Sequence, residues 1–125
     1  MSAKQPLVSI IILNYNQLKV TCEFIESART LTYPNYEIIM VDNASAEDPT
    51  DHIKRNYPEV KLIRNKKNLG FTGGNNVGIR AGKGAFFLII NNDTEVVPDL
   101  LNRMLEPFSK DPQVGVVSPK IRYFS

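Results

Sequence analysis

The chain has 125 residues, 42% of them hydrophobic, which is enough for one domain around a single core. Its 15 basic and 13 acidic residues leave a net charge of +2 with no basic run or stripe, so the electrostatic footprint of a nucleic-acid binder is missing. The single cysteine, Cys22, excludes an internal disulfide and a Cys-rich metal site, and no apolar run approaches the roughly 20 residues a transmembrane segment needs.

Leu7-Val8-Ser9-Ile10-Ile11-Ile12-Leu13 is β-branched and almost wholly apolar, as a central buried strand should be. Asn14-Tyr15-Asn16 breaks it, and Asn16 is a candidate N-cap for a helix. Val20, Phe24, Ile25, Ala28 and Leu31 recur at helical spacing and mark that helix's apolar face. Tyr33-Pro34-Asn35 ends it, because proline cannot continue a helix. Tyr36 to Val41 is a second strand, closing on Asp42-Asn43-Ala44-Ser45. A second helix is expected near Asp48, with Pro49 in its first turn and Ile53 and Tyr57 facing inward.

Val60-Lys61-Leu62-Ile63 reads as a short third strand. An asparagine- and glycine-rich stretch, Asn65 to Gly78, follows, and its later part predicts a helix continuing to about Ala81. Phe86-Phe87-Leu88-Ile89-Ile90 is a run of apolar residues suited to a strand buried on both faces, and it runs straight into Asn91-Asn92-Asp93-Thr94-Glu95. Pro98 suits the first turn of another helix, with Leu101, Met104, Leu105 and Phe108 on its buried face and Pro107 bending or ending it. Val114-Gly115-Val116-Val117 reads as a fifth strand. Strands alternating with helices imply βαβ units, hence an α/β domain with a mostly parallel sheet.

Three strands end in polar clusters: Asn14-Tyr15-Asn16, Asp42-Asn43 and Asn91-Asn92-Asp93. In an open parallel sheet, ligands bind at the carboxyl ends of the strands. An aromatic ring such as Tyr15 can stack on a base. A carboxylate such as Asp42 can accept from a base N–H or a ribose hydroxyl. Asp93 can hold a divalent cation, and the cation can hold phosphates. Each residue has a plainer reading. Tyr15 would be a partly buried packing residue, Asp42 a turn-forming side chain bonded to its own backbone, and Asn91-Asn92-Asp93-Thr94 a turn capping the following segment. The glycines at 70, 73, 74 and 78 do not match a dinucleotide fingerprint, and they follow the third strand rather than the first. No phosphate-loop signature is present either. Small residues there allow a helix to approach a ligand or the sheet closely, with Asn75 and Asn76 as candidate ligand contacts or simply exposed polar residues. His52, the only histidine, sits on a predicted helix away from the strand ends, which disfavours Ser–His–Asp chemistry.

Val8 to Asn16 resembles the opening strand of the family 2 glycosyltransferases, and Val41-Asp42-Asn43-Ala44-Ser45 resembles their second strand end. Asn68-Leu69-Gly70-Phe71 through Gly78 resembles the family's asparagine- and glycine-rich segment, particularly in rhamnosyltransferase-like members, and Leu88 to Val96 the strand ending in the D-x-D signature. The resemblance implies the GT-A fold, a Rossmann-like, mostly parallel sheet flanked by helices that binds a nucleotide-diphosphate sugar. It implies that Asn14 and Tyr15 lie at the nucleotide, with Tyr15 on the base. It further implies that Asp42 bonds base or ribose, that Asn75, Asn76 and Asn92 line the nucleotide, and that Asp93 binds Mg²⁺ or Mn²⁺. Asn91 stands where the signature's first acid should be.

In the family a further stretch holds the acceptor site and an acidic general base. No candidate for that base occurs here, so residues 1–125 are expected to be the donor-binding part of a truncated catalytic domain, with the base beyond Ser125. The implied activity is inverting transfer of a sugar to a saccharide or lipid-linked acceptor hydroxyl, in the cytoplasm or at the inner face of the membrane. The alternative is a non-catalytic nucleotide-sugar binding or interaction module. An incomplete domain is also expected to expose apolar sheet surface and to self-associate.

Overall fold

The computed structural model describes residues 5–110. Its elements alternate along the chain: β1 (Val8–Asn14), α1 (Leu18–Ala28), β2 (Tyr36–Asp42), α2 (Thr50–Asn56), β3 (Lys61–Arg64), α3 (Gly70–Ala81), β4 (Phe86–Ile89) and α4 (Leu100–Lys110). The four strands are parallel, in the order β3-β2-β1-β4. Asn14 pairs with Asp42 and Ile11 with Ile89. The chain therefore builds outward from β1 through β2 to β3, then crosses to the other side of β1 to lay down β4. The crevice beside β1 and β4 is the topological switch point, where open sheets of this kind bind ligands.

Alternation along the strands divides the core. One face of the sheet presents Val8, Ile10 and Ile12 of β1 with Ile38 and Met40 of β2, and it packs on Phe24, Ile25 and Ala28 of α1, Ile53 of α2 and Leu101 of α4. The opposite face presents Ile11, Ile39 and Val41 and packs on Val77 and Ile79 of α3. This helix runs along the sheet at glycine distance. A Cβ at Gly74 would lie 2.6 Å from Leu13 Cδ2, one at Gly78 2.6 Å from Ile11 Cγ2, and one at Gly82 2.5 Å from Phe87 Cε1. Four residues of helix rise about as far as two residues of strand, so the glycines keep step with the sheet's side-chain rows.

At the opposite end of the strands from the switch-point rim, buried Ser9 ties down the loop between α3 and β4. Its Oγ donates to Glu37 Oε2 at 2.5 Å and accepts from the Gly84 N–H at 2.8 Å, while the Lys83 N–H donates to the same Glu37 oxygen at 2.8 Å. Burial by itself would raise the Glu37 pKa. The hydrogen bonds from Ser9 and Lys83, with the nearby Lys61 and Lys83 charges, outweigh it and hold the carboxyl below its ordinary value.

The structure corrects several expectations. Asn16 does not cap α1. It sits at φ 55°, a left-handed conformation that asparagine tolerates, and its Oδ1 accepts from the Ala46 N–H instead. Thr21, not Val20, occupies the buried stripe of α1, and the helix ends at Ala28, before Leu31 and the proline. The third strand is shifted by one residue, to Lys61–Arg64. The strand opening at Phe86 is not buried on both faces. It is the edge strand of the described sheet, with Phe87 41% and Ile89 40% exposed. The last helix starts at Leu100 rather than at Pro98, and it continues through Pro107. The expected fifth strand, Val114–Val117, and the side chain of Phe108 lie outside the described residues.

Gly78→Ala is expected to lower stability by about 1–2 kcal/mol: overpacking against Ile11 costs more than the better helix propensity of alanine returns. Thermal unfolding should read this as a Tm lower by roughly 5 °C. Because the folded pKa of Glu37 lies below the ordinary 4.5, its contribution is present above that value and fades as pH falls through the folded pKa. Glu37→Gln should therefore flatten the acid limb of a Tm-against-pH curve and lower Tm at neutral pH.

Candidate functional site

The carboxyl ends of β1 and β2 meet in a buried polar cluster centred on Asp42. This side chain is wholly buried and accepts four hydrogen bonds. Oδ1 takes Asn14 Nδ2 at 2.8 Å and Ser45 Oγ at 2.6 Å. Oδ2 takes the Ser45 N–H at 3.1 Å and Arg64 Nε at 3.3 Å. A buried carboxylate is costly unless its lone pairs are filled, and donors from β1, the turn after β2 and β3 fill them. Arg64 spans the rim. Its guanidinium also donates to the Ser45 carbonyl at 2.7 Å and lies 3.3 Å from Asp48 Oδ2.

From Asp42 the hydrogen bonds run on across the sheet. Asn14 Oδ1 accepts from Thr21 Oγ1 at 2.7 Å, and Thr21 Oγ1 accepts from Asn92 Nδ2 at 2.9 Å. The second Asn92 N–H reaches Gln17 Oε1 at 3.4 Å. The turn after β4 is thereby joined to the end of β2 through one helix residue and one strand residue, all at the switch-point rim.

On the other face, Asn43 organises the entry to α3. Its Nδ2 donates to the Gly70 carbonyl at 3.1 Å, and its Oδ1 accepts from Asn65 Nδ2 at 2.9 Å. Gly70, at φ 74°, turns the chain into the helix in a conformation that disfavours a side chain.

The sequence-selected residues distribute as follows. Asn14, Asp42 and Asn92 share one hydrogen-bonded chain. Tyr15 follows Asn14 directly and is 50% exposed, so its ring is free to meet a ligand. Asp93 is exposed in the turn that Asn92 anchors. Asn75 is buried on α3 beside Gly74, whereas Asn76 is exposed on the same helix. Sequence reasoning missed Thr21 and Arg64, and it named Asn43 and Ser45 in the motif after β2 without giving either a role. Thr21 carried one signal: a polar residue where the i, i+3, i+4 stripe with Phe24 and Ile25 calls for an apolar one.

Among the described residues, no group of three or more His, Cys, Asp and Glu side chains gathers as a ready metal cage. The chemistry of the post-β4 turn nevertheless suits a hard cation: Asp93 supplies a carboxylate, and Asn91, Asn92 and Thr94, its neighbours in sequence, carry amide and hydroxyl oxygens. Mg²⁺-type ions are commonly held by one or two carboxylates plus the phosphates of a substrate.

Residues 9–125 match the family model described as glycosyl transferase family 2. The succinoglycan biosynthesis protein ExoO of Rhizobium meliloti is 34% identical over 105 residues, covering 82% of this chain and 30% of that protein. The curated relatives are much longer, and this chain spans between 14% and 37% of the length of the first ones it matches. Among solved structures, the mannosyltransferase PcManGT from Pyrobaculum calidifontis, in complex with GDP-Man and Mn²⁺, superposes with a TM-score of 0.80 at 23% identity, covering 90% of this chain and 34% of that one. Residues 1–349 of S. aureus TarS, in complex with UDP-GlcNAc, superpose with a TM-score of 0.71 at 26% identity, covering 82% of this chain and 31% of that one. The parallel sheet flanked by helices is thus the GT-A arrangement that the motifs implied, and the chain belongs to glycosyl transferase family 2.

Proposed function

We propose that this chain is the donor-binding part of an inverting glycosyltransferase that passes a sugar from a nucleotide-diphosphate sugar to a hydroxyl of a saccharide or lipid-linked acceptor. The observation that carries this reading is the single hydrogen-bonded rim at the switch point, running from the Asn92 turn through Thr21 and Asn14 to Asp42. It holds an exposed aromatic, Tyr15, and an exposed carboxylate, Asp93, along one border of the sheet. The complexes of PcManGT with GDP-Man and Mn²⁺ and of TarS with UDP-GlcNAc lend support to a donor of this class.

In this reading Tyr15 packs on the base, and Asn75 and Asn76 line the nucleoside from α3. Asp42 bonds base or ribose through Oδ2, which now accepts from the Ser45 N–H and from Arg64, the Arg64 bond being the longest of the four at 3.3 Å. A ligand N–H or hydroxyl takes that place as the guanidinium swings aside. Asp93, with the amide oxygens of Asn91 and Asn92, holds Mg²⁺ or Mn²⁺. Such a cation would supply positive charge against the diphosphate leaving group.

The free, half-buried thiol of Cys22 supports a cytoplasmic setting, or the inner membrane face where the acceptor is lipid-linked. Among the described residues, no helix is long and apolar enough to cross a membrane. The exposed Phe87 and Ile89 supply an apolar patch through which this chain self-associates.

Calorimetry with UDP and GDP is the direct test. Asp93→Ala should abolish the Mn²⁺-dependent part of nucleoside diphosphate binding, and unchanged binding would remove Asp93 from the site. Asp42→Asn should weaken metal-free UMP or GMP binding about thirtyfold, the equivalent of a charge-assisted hydrogen bond of about 2 kcal/mol. Arg64→Ala, which uncovers Oδ2, should not weaken it. Equal UMP and GMP affinities for Asp42→Asn and the native chain would place the nucleoside elsewhere.

A further inference from the structure

The hydrogen bonds along the rim have a direction, and one group sets it. A carboxylate only accepts, so Asp42 obliges Asn14 to turn its NH₂ inward. Asn14 Oδ1 must then face Thr21, and the single hydroxyl proton of Thr21 goes to it. With its proton committed, Thr21 Oγ1 can only accept, and what it accepts is the NH₂ of Asn92. The other N–H of that NH₂ is turned to Gln17. The amide of Asn92, the residue before Asp93, is therefore fixed with its carbonyl oxygen on the side away from Thr21 and Gln17. Reversed, the same amide would offer N–H groups to that side and repel a cation. Thr21 is fully buried, and the hydrogen bonds of its hydroxyl run to Asn14 and from Asn92.

We infer that Thr21 is a positioning residue for the cation site: through its hydroxyl, the buried Asp42 dictates that Asn92 presents oxygen, not nitrogen, beside Asp93. This rests on the proposed reading of Asp93 as the cation's carboxylate. It adds that a residue on α1, remote from any ligand, sets metal affinity, and that the nucleoside end and the cation end of the rim are coupled through three side chains.

The experiment titrates Mn²⁺ at fixed UDP and reads the Mn²⁺ concentration at half-saturation, with metal-free UMP binding and Tm measured alongside. Thr21→Val keeps the shape and removes the hydroxyl. It should raise the Mn²⁺ midpoint roughly tenfold, the usual size of effect for a group that orients a metal ligand. Thr21→Ser, which restores the hydroxyl, should bring the midpoint back. Asn92→Ala removes the far end of the same bond from a half-buried turn, where folding is little at risk, and should shift the midpoint at least as far. The double variant should shift it no further than Asn92→Ala does, because both changes act on one ligand.

A lowered Tm with an unchanged Mn²⁺ midpoint in a folded Thr21→Val would make Thr21 a packing residue only and overturn the inference. Additive shifts in the double variant would overturn it too. If Thr21→Val does not fold, a native Mn²⁺ midpoint in Asn92→Ala has the same consequence. When the native chain and Asp93→Ala behave as proposed but these variants do not, only the inference fails. When the native chain shows no Mn²⁺-dependent UDP binding, the reading of Asp93 fails and the inference goes with it.

Discussion

A carboxylate with no exposure to water has to be surrounded by donors, and that requirement shapes the whole rim of this domain. Asp42 recruits Asn14 from β1, both donors of Ser45 from the turn that follows it, and Arg64 from β3. Leaving any one of these bonds unmade would cost about 1–3 kcal/mol in so dry a position. The charge therefore acts as a template. It fixes which residue of β1 stands opposite the end of β2, how the Ala44–Ser45 turn folds back, and where the guanidinium of Arg64 lies. Further bonds then propagate outward from groups that Asp42 has already oriented.

The other half of the architecture comes from an absence of side chains. Helix α3 has poor intrinsic propensity, since Gly70, Gly73, Gly74 and Gly78 each disfavour a helix by about 1 kcal/mol relative to alanine. It exists because it packs so closely on Leu13, Ile11 and Val41. That approach brings Asn43 within reach of the helix entry, so the loop from Asn65 to Gly70 is stitched to the end of β2. Both faces of the sheet thereby deliver polar side chains to the same end. At the far end, Ser9 bonds Glu37 and the Gly84 N–H and ties down the loop between α3 and β4.

The fold was legible where period and breaker agreed. The apolar run at Ile10–Ile12 and the Asp42 and Asp93 turns announced strands and their ends directly. Legibility failed where a tertiary contact decided the matter. Asn16 has the chemistry of a helix cap, but the Ala46 N–H captured its side chain. Phe86 to Ile90 is apolar enough for a central strand, yet α3 covers only part of that face and leaves Phe87 and Ile89 exposed. For the site, the strand-end acids and amides could be picked out one by one. Their order of connection could not, because it runs through Thr21 and Arg64, whose roles appear only when α1 and β3 are laid beside β1 and β2.

The predominance of amides over acids on this rim has an electrostatic consequence. Every carboxylate placed beside a diphosphate raises the repulsion that a cation must overcome, and an amide oxygen can ligate a hard cation without adding charge. With Asn91 and Asn92 beside Asp93 instead of further acids, positions 91–93 carry one negative charge where a two-acid signature would carry two. Under the proposed function such a turn binds a free cation weakly and a cation already paired with phosphates better, since the phosphates supply the missing charge. The cost is that neutral ligands have no field to orient them: an amide turned the wrong way is a donor, not an acceptor. A site built this way needs an internal reference for direction. The buried carboxylate of Asp42, which can only accept, provides one at the other end of the chain of hydrogen bonds.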